Sequence, residues 1–343
     1  MTDTTLTGLG WSHHFAAQLA EAPEGLPARI SAVARDRVTA LSPEGELLLT
    51  TGSLPAGDYA CGDWVLQDGT QVLRLLDRTT LVQRRAAGSE TDRQLIAANV
   101  DTLGIVTSCN AEFSAARLER YLALAASAGC LPLVILTKPD LAEDPDAYAR
   151  TARGLSPMAV TVTLDGRGAE AAELLAPWCG KGQTLALTGS SGVGKTSLTN
   201  TLTGRSDATQ DVRGDTRGRH TTTARALLPT LAGGWLIDTP GMRELGLTDA
   251  AEGIAEVFSD LEDLAATCRF NDCAHETEPG CAVTEAIAAG KLDAGRLERW
   301  RKLLREDART TETIADARAR TRSLSRHQSA VQKGGRRGKG DRD

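Results

Sequence analysis

The spacing of apolar positions changes its period along the chain, and each change marks a different kind of element. From Arg29 to about Arg85, short runs rich in Val, Leu and Thr (RISAVA, RVTAL, ELLLTT, DWVLQ, QVLRLL, TTLVQ) alternate with turn material such as SPEG, PAGD and QDGT. Five or six strands in so short a stretch predict a small β-barrel; an SH3-like barrel has the same pattern, and the oligonucleotide/oligosaccharide-binding (OB) type is the preferred reading. Strand candidates (TLGIVTS, LPLVILT, MAVTVTL, QTLALTG, GWLIDT) then alternate with helix candidates (AARLERYLALAASAG, GAEAAELLAPW, KTSLTNTL), the pattern of an α/β sheet. From about Ala250 the period is helical, and beyond Arg309 large apolar residues become sparse. The reading is an α/β multidomain protein: an N-terminal extension (1–27) that is loose, an OB-fold barrel (28–92), an α/β domain (93–248), a helical domain (249–315) and a basic disordered tail (316–343).

Composition narrows the class. With 343 residues, 41% hydrophobic and 24% charged, the chain resembles an ordinary globular protein, and no apolar run reaches the roughly 18 residues of a membrane span. The first residues, MTDTTLTGLGW, lack the basic and apolar blocks of a secretory signal, so the expected location is the cytoplasm, with reduced thiols and no membrane partner. The formal charge of -6 argues against coating nucleic acid broadly, yet nine Lys and Arg fall between Arg318 and Asp343. Any RNA contact is therefore local.

Residues 189–197 read GSSGVGKTS, directly after a strand candidate and before a helix candidate. A loop of this form curls its backbone N–H groups around phosphates, here through Gly189, Ser190, Ser191, Gly192, Val193, Gly194, Lys195, Thr196 and Ser197. Lys195 reaches the β- and γ-oxygens, and the Thr196 hydroxyl suits Mg2+. The bland alternative, a Gly/Ser turn, does not explain the complete motif in its strand-to-helix setting. Downstream, GWLIDTPG places Asp238 where a second carboxylate can hold Mg2+ through water and Gly241 where an N–H can meet the γ-phosphate. The polar segment DVRGDTRGRHTTTARALL lies between the two and offers Thr221 or Thr222 as the Mg2+-contacting residue of a mobile switch.

Phosphate chemistry does not select the base. Two stretches could, LPLVILTKPD and the later AAGKLD. The second lies in a helical pattern with no β run before it, so Asp293 would not reach a sheet's carboxyl edge, where ligands bind in such folds. The first ends a strongly apolar strand in Thr137, Lys138, Pro139 and Asp140. A carboxylate at position 140 accepts from guanine N1–H and N2–H2, a pattern adenine does not offer, and Lys138 lies along the base. GTP/GDP is therefore the expected ligand, and a P-loop ATPase the disfavoured one. The guanine motif then precedes the phosphate loop, which makes the domain circularly permuted, with residues near 160–168 completing the base pocket. Hydrolysis sensed at 238–241 would act almost directly on the helical region that follows.

Residues 268–281, CRFNDCAHETEPGC, supply Cys268, Cys273, His275 and Cys281, three thiolates and one imidazole, which suit one structural Zn2+ with no open position. The spacing is not that of a common finger, and unliganded cysteines are the bland reading; four zinc-competent ligands in fourteen residues favour metal.

Taken in order, TKPD, GSSGVGKTS, GRHTTT, DTPGMRE and CRFNDCAHETEPGC, with GDWV at 62–65 and IAANVD at 96–101, the sequence resembles the ribosome small-subunit-dependent GTPase A family of bacteria over nearly its whole length. The resemblance implies an OB barrel, a circularly permuted GTPase domain and a zinc domain. It also implies GTP hydrolysis stimulated by the 30S subunit during its late maturation, with 16S rRNA as a contact. A monomer is expected. Two positions depart from the usual pattern: Thr137 stands where GTPases most often carry asparagine, and the second base motif, usually Ser-Ala, is represented by Thr161–Leu164. After Gly241 comes Met242, which does not hydrogen-bond an attacking water, and the resemblance implies that His220 positions that water instead. The rival class is a nucleotide-gated rRNA-binding assembly factor with little intrinsic catalysis.

Overall fold

The computed structural model describes residues 5–19, 24–85, 93–206, 225–238 and 250–311. Five antiparallel strands come first: β1 (Leu26–Val33), β2 (Arg37–Ser42), β3 (Gly45–Thr50), β4 (Trp64–Gln67) and β5 (Val72–Leu75), in the order β3-β2-β1-β4-β5. A parallel bridge between Thr50 and Gln71, with the Thr50 N–H donating to Thr70 O at 3.0 Å, joins the two edge strands and closes the sheet into the OB-type barrel. Alternation sets the inside: along β2, Val38, Ala40 and Ser42 are buried and their neighbours are not. The segment TTLVQ, grouped above with the barrel, does not join that sheet. It forms β6 (Leu81–Arg85), which pairs only with β7 (Arg93–Ala98) in a two-stranded ribbon leading toward the second sheet.

That second sheet holds β8 (Thr102–Ser108), β9 (Leu131–Thr137), β10 (Val160–Thr163), β11 (Thr184–Gly189), β12 (Ala226–Pro229) and β13 (Trp235–Asp238) in the order β10-β9-β8-β11-β13-β12. Every pairing is parallel except that of β12 with β13. Helices α2 (Ala115–Ser127), α3 (Pro145–Arg153), α4 (Ala169–Cys179) and α5 (Lys195–Thr203) follow strands in the βαβ manner. Two separate cores show why β9 reads as an unbroken apolar run. Val134 and Leu136 face one, with Leu118 and Leu122 of α2; Leu133 and Ile135 face the other, with Leu175 of α4 and Leu198 of α5. The strand order is informative. The first three strands in the chain spread to one side of β11, and the last two to the other.

The C-terminal unit is helical: α6 (Ala251–Val257), α7 (Ser259–Ala266), α8 (Ala282–Ala288) and α9 over 294–311. It is seated on α2. A Cβ on Gly253 of α6 would stand 2.3 Å from both Ala123 O and Ser127 Oγ of α2, so glycine alone permits this approach. Below the contact, the fully buried Glu119 accepts from Arg296 Nη1 at 3.1 Å and from Arg299 Nε at 2.6 Å, and Asp260 holds Arg296 from the other side at 2.8 Å. Burial pushes the Glu119 carboxyl up, and the two guanidinium groups oppose that shift.

Residues 5–19 of the N-terminal segment are not loose. Within residues 5–19, the short helix α1 (His13–Ala17) carries Phe15 into the core, Leu9 is fully buried, and Trp11 packs edge-on against Trp64 with centroids 4.8 Å apart. Trp235 Nε1 of β13 donates to Gly8 O at 2.8 Å. The segment lacks periodicity because it spans a junction and not a face, so its apolar residues follow neither a helix nor a strand spacing.

Arg29 ties these parts together. This fully buried side chain on β1 donates to Leu9 O at 2.6 Å, Gly62 O at 3.3 Å, Asn99 O at 3.1 Å and Thr184 Oγ1 at 2.8 Å, and so reaches the N-terminal segment, the barrel, the ribbon's exit and the first residue of β11. Burial pulls its pKa down to about 10, partly opposed by Asp101, Cys61 and Asp63, so it stays charged at neutral pH. Replacing Arg29 by Ala removes a donor from four buried oxygens, of which Gly62 O keeps the Asn99 Nδ2 amide at 3.0 Å. The expected loss is about 3 kcal/mol or more of unfolding free energy, read as a lower midpoint in urea denaturation; an unchanged midpoint would show that the hub is dispensable.

Candidate functional site

Both halves of the nucleotide reading converge on the carboxyl edge of the second sheet. β11 ends in Gly189, whose φ is 138°, and a Cβ there would lie 2.2 Å from Val106 O of β8, so no other residue fits. The loop then passes the half-buried Ser190, the exposed Ser191 and Gly192, and the buried Val193, and Gly194 at φ 101° begins α5. Lys195 turns back across the loop, its Nζ donating to Gly189 O at 2.8 Å and Ser190 O at 2.6 Å. Thr196 is exposed and Ser197 half-buried on the first turn of α5. The N–H groups of that turn have no helical acceptor behind them, which makes the loop an anion cradle. Asp238 ends β13 beside β11, paired in register with Leu187.

The TKPD stretch reaches the same loop. Thr137 ends β9, and its hydroxyl donates to Val193 O at 2.6 Å, with Thr107 O at 3.1 Å. Lys138 takes the left-handed conformation (φ 54°, ψ 48°), and its Nζ donates to Gly192 O at 2.7 Å. Two consecutive residues of one motif thus hold two consecutive carbonyls of the other. Threonine in place of asparagine does not leave the position idle: its single hydroxyl makes the bridge to the phosphate loop. Pro139 and Asp140 open a short 3-10 turn, and the Asp140 carboxylate is exposed at the edge. Across from it, Leu164 N–H donates to Leu136 O at 2.9 Å, and the loop after β10 brings Arg167 to 3.7 Å from Asp140 while Asp165 binds Arg167 through both carboxylate oxygens. Thr161 lies within β10 itself, one strand from TKPD.

The structure therefore gathers Thr137, Lys138, Pro139, Asp140 and residues 189–197 along one edge, with Asp238 at the end of a neighbouring strand of the same sheet. His220, Thr221, Thr222, Gly241 and Met242 lie outside the described residues, as does the basic tail from 316. One contributor was missed in the sequence. Arg117, in the first turn of α2, donates from Nη1 to Ser190 Oγ at 2.5 Å. Nothing in its spacing signals this, because the contact crosses 73 positions and joins two different crossovers.

The second cluster lies in the C-terminal unit. Cys268, Cys273, His275 and Cys281 present ligand atoms that are all within 4.8 Å of one another. His275 Nδ1 lies 3.5 Å from Cys268 Sγ and 3.5 Å from Cys281 Sγ, and those two sulfurs are 3.9 Å apart. A tetrahedral ion with bonds of about 2.3 Å to sulfur and about 2.0 Å to nitrogen spaces its ligand atoms about 3.5–3.8 Å apart, so the cluster fits one metal ion. Local structure preforms it. His275 is held at φ 60°, and Glu278 accepts from the N–H groups of Ala274, Glu276 and Thr277. Cys281 caps α8: burial works to raise its pKa, but hydrogen bonds from the Thr284 hydroxyl and N–H, and from His275 and Cys273, bring it down to about 6. The His275 ring packs on Trp300 of α9, with centroids 5.8 Å apart, and joins the cluster to the helix that carries Arg296 and Arg299.

Among the described residues no helix is long and apolar enough to cross a membrane. Residues 75–248 match the family model described as RsgA GTPase. A small ribosomal subunit biogenesis GTPase RsgA from Mesorhizobium japonicum is 50% identical over 316 residues, covering 90% of this chain and 91% of the relative. A second, named RsgA 2, from Vibrio parahaemolyticus, is 45% identical over 331 residues, 95% of this chain and 92% of that one. Among solved structures, YjeQ from Thermotoga maritima superposes with a TM-score of 0.60 at 25% identity, over 82% of this chain and 97% of its own. YloQ, described as a circularly permuted GTPase, gives 0.57 at 22% identity over 87% and 98%, a likeness of fold.

The Thr137 bridge is testable alone. Thr137→Val keeps the volume and removes the hydroxyl, leaving the buried Val193 carbonyl without its partner, and should weaken guanine-nucleotide binding roughly 10-fold in titration calorimetry with the fold intact by circular dichroism. Equal affinity would show that the bridge does not shape the loop.

Proposed function

Because the chain belongs to the RsgA GTPase family and is a GTP hydrolase on a circularly permuted scaffold, we propose that it works in small ribosomal subunit biogenesis, with its turnover stimulated by the 30S subunit and 16S rRNA among its contacts. The observation that supports this reading best is the convergence of 137–140 with 189–197, bound to each other at Thr137 and Lys138.

Within that reading each group has a task. The loop's N–H groups and Lys195 hold the β- and γ-phosphates and stabilise the charge that develops on the transferring phosphoryl. Thr196 and Asp238 would hold Mg2+, which supplies charge neutralisation at the phosphates, with Thr221 or Thr222 added from the switch. Gly241 would meet the γ-phosphate, and His220 would position the attacking water. Asp140 accepts from the guanine N1–H and N2–H2, with Arg167 and Asp165 at the rim. Zn2+ is the ion that suits Cys268, Cys273, His275 and Cys281; with four protein ligands it would be structural, fastening the loop to Trp300 and α9. The chain would act in the cytoplasm as a monomer.

The alternative, an rRNA-binding factor for which GTP chiefly sets affinity, shares this site and differs in rate. Measuring GTP turnover with and without 30S subunits separates the two. Stimulated turnover should be lost almost completely in Lys195→Ala and should fall in His220→Ala; no stimulation would favour the binding factor. Asp140→Asn should lower GTP affinity about 100-fold and shift preference toward xanthosine triphosphate, whose 2-carbonyl accepts from an amide; unchanged preference would remove Asp140 from the base site. Atomic emission should find about one zinc per folded chain, and a metal-free folded preparation would refute the centre.

A further inference from the structure

The turn of α2 from 117 to 120 touches two distant parts of the molecule at once. On the phosphate side, Arg117 Nη1 donates to Ser190 Oγ at 2.5 Å and lies 3.5 Å from both Glu112 O and Glu112 Oε2, which hold the guanidinium from behind. Ser190 in turn offers its carbonyl to Lys195 at 2.6 Å. On the C-terminal side, Glu119 is fully buried between Arg296 and Arg299, and Arg120 Nη2 meets Glu306 Oε2 at 2.5 Å. Arg296 also donates to Leu155 O and Val257 O, and Asp307 accepts from Ala250 N–H at 2.9 Å, so α9 is fixed to α2 and to the start of α6 together.

We propose that Arg117 is a positioning residue for GTP turnover: through Ser190 it sets the phosphate loop and Lys195, and through the turn it shares with Glu119 and Arg120 it couples that loop to the seating of the metal-bearing helical unit. This rests on the GTPase reading above. The physical argument is rigidity over a short distance. Residues 117, 119 and 120 lie within one helical turn, so a shift of α9 that drags Glu119 or Arg120 moves the Cα of Arg117 with it. The loop then feels that shift, because the Ser190 hydroxyl and the Ser190 carbonyl belong to one residue. A displacement near 1 Å at a phosphate-positioning group is enough to slow phosphoryl transfer markedly. The route does not pass through 238–241, so it operates whatever the switch segment does.

The test uses the full chain, with steady-state GTP hydrolysis and binding of a fluorescent GDP analogue as parallel readouts. Arg117→Ala and Ser190→Ala should each lower kcat roughly 10-fold while KM for GTP changes less than about threefold, and the double variant should be no slower than either single one. Glu306→Ala, at the half-exposed Arg120 pair, should lower kcat in the same direction by a smaller factor, and hydrogen exchange over 294–311 should lose its difference between GDP and a non-hydrolysable GTP analogue in Arg117→Ala. Wild-type kcat in Arg117→Ala, or additive losses in the double variant, would overturn the proposal while leaving the GTPase reading standing. If the unaltered chain itself fails to turn over GTP, it is that reading that falls. Should Arg117→Ala fold poorly, the Ser190→Ala and Glu306→Ala pair decides alone: additive effects or none refute the coupling.

Discussion

The hydrogen bond from the Thr137 hydroxyl to the Val193 carbonyl, at 2.6 Å, is the constraint around which the nucleotide site is arranged. It joins residues 56 positions apart. β9 must therefore end level with the loop that follows β11, and since β8 lies between them, both parallel registers are fixed at once. Lys138 repeats the tie one residue later, at the cost of a left-handed backbone that only a strongly determined loop sustains. A base-reading carboxylate and a phosphate cradle, as proposed for Asp140 and residues 189–197, need a fixed separation to grip one nucleotide, and this pair of contacts sets it.

The order of strands explains why a rearranged chain preserves such a site. Binding geometry depends on which strands are neighbours at the carboxyl edge, not on which of them the chain builds first. With β11 between β8 and β13, the phosphate loop sits between the base motif and Asp238. The rejoining lies in the connection through α4 from β10 to β11, and the break falls elsewhere, where the chain connects to the barrel and to the helical unit. Both connections are then reinforced by buried charge: Arg29 on the barrel side, and Glu119 with Arg296 and Arg299 on the other.

Much of this was legible in the residues. The period-2 runs of the barrel, the long apolar strand before TKPD, and the full loop motif between a strand and a helix each reflect a local rule, and each formed as read. What escaped the sequence is what local rules do not encode. TTLVQ has the composition of a barrel strand but pairs with residues 93–98, a choice made by the partner and not by the segment. Residues 5–19 looked structureless because Leu9, Trp11 and Phe15 fill a junction between domains. Arg117 and Arg29 are ordinary surface residue types by composition, and only the assembled molecule shows that one touches the phosphate loop and the other is buried among four acceptors.

The position of β11 has a consequence for the birth of the protein. As the chain leaves the ribosome, β8, β9 and β10 are made before any of the phosphate loop exists, and they can pair among themselves in the order they will keep. One edge of β8 then stays open until β11 arrives and docks along it. The two halves of the proposed nucleotide site, 137–140 and 189–197, therefore meet only once β11 has been made and docked.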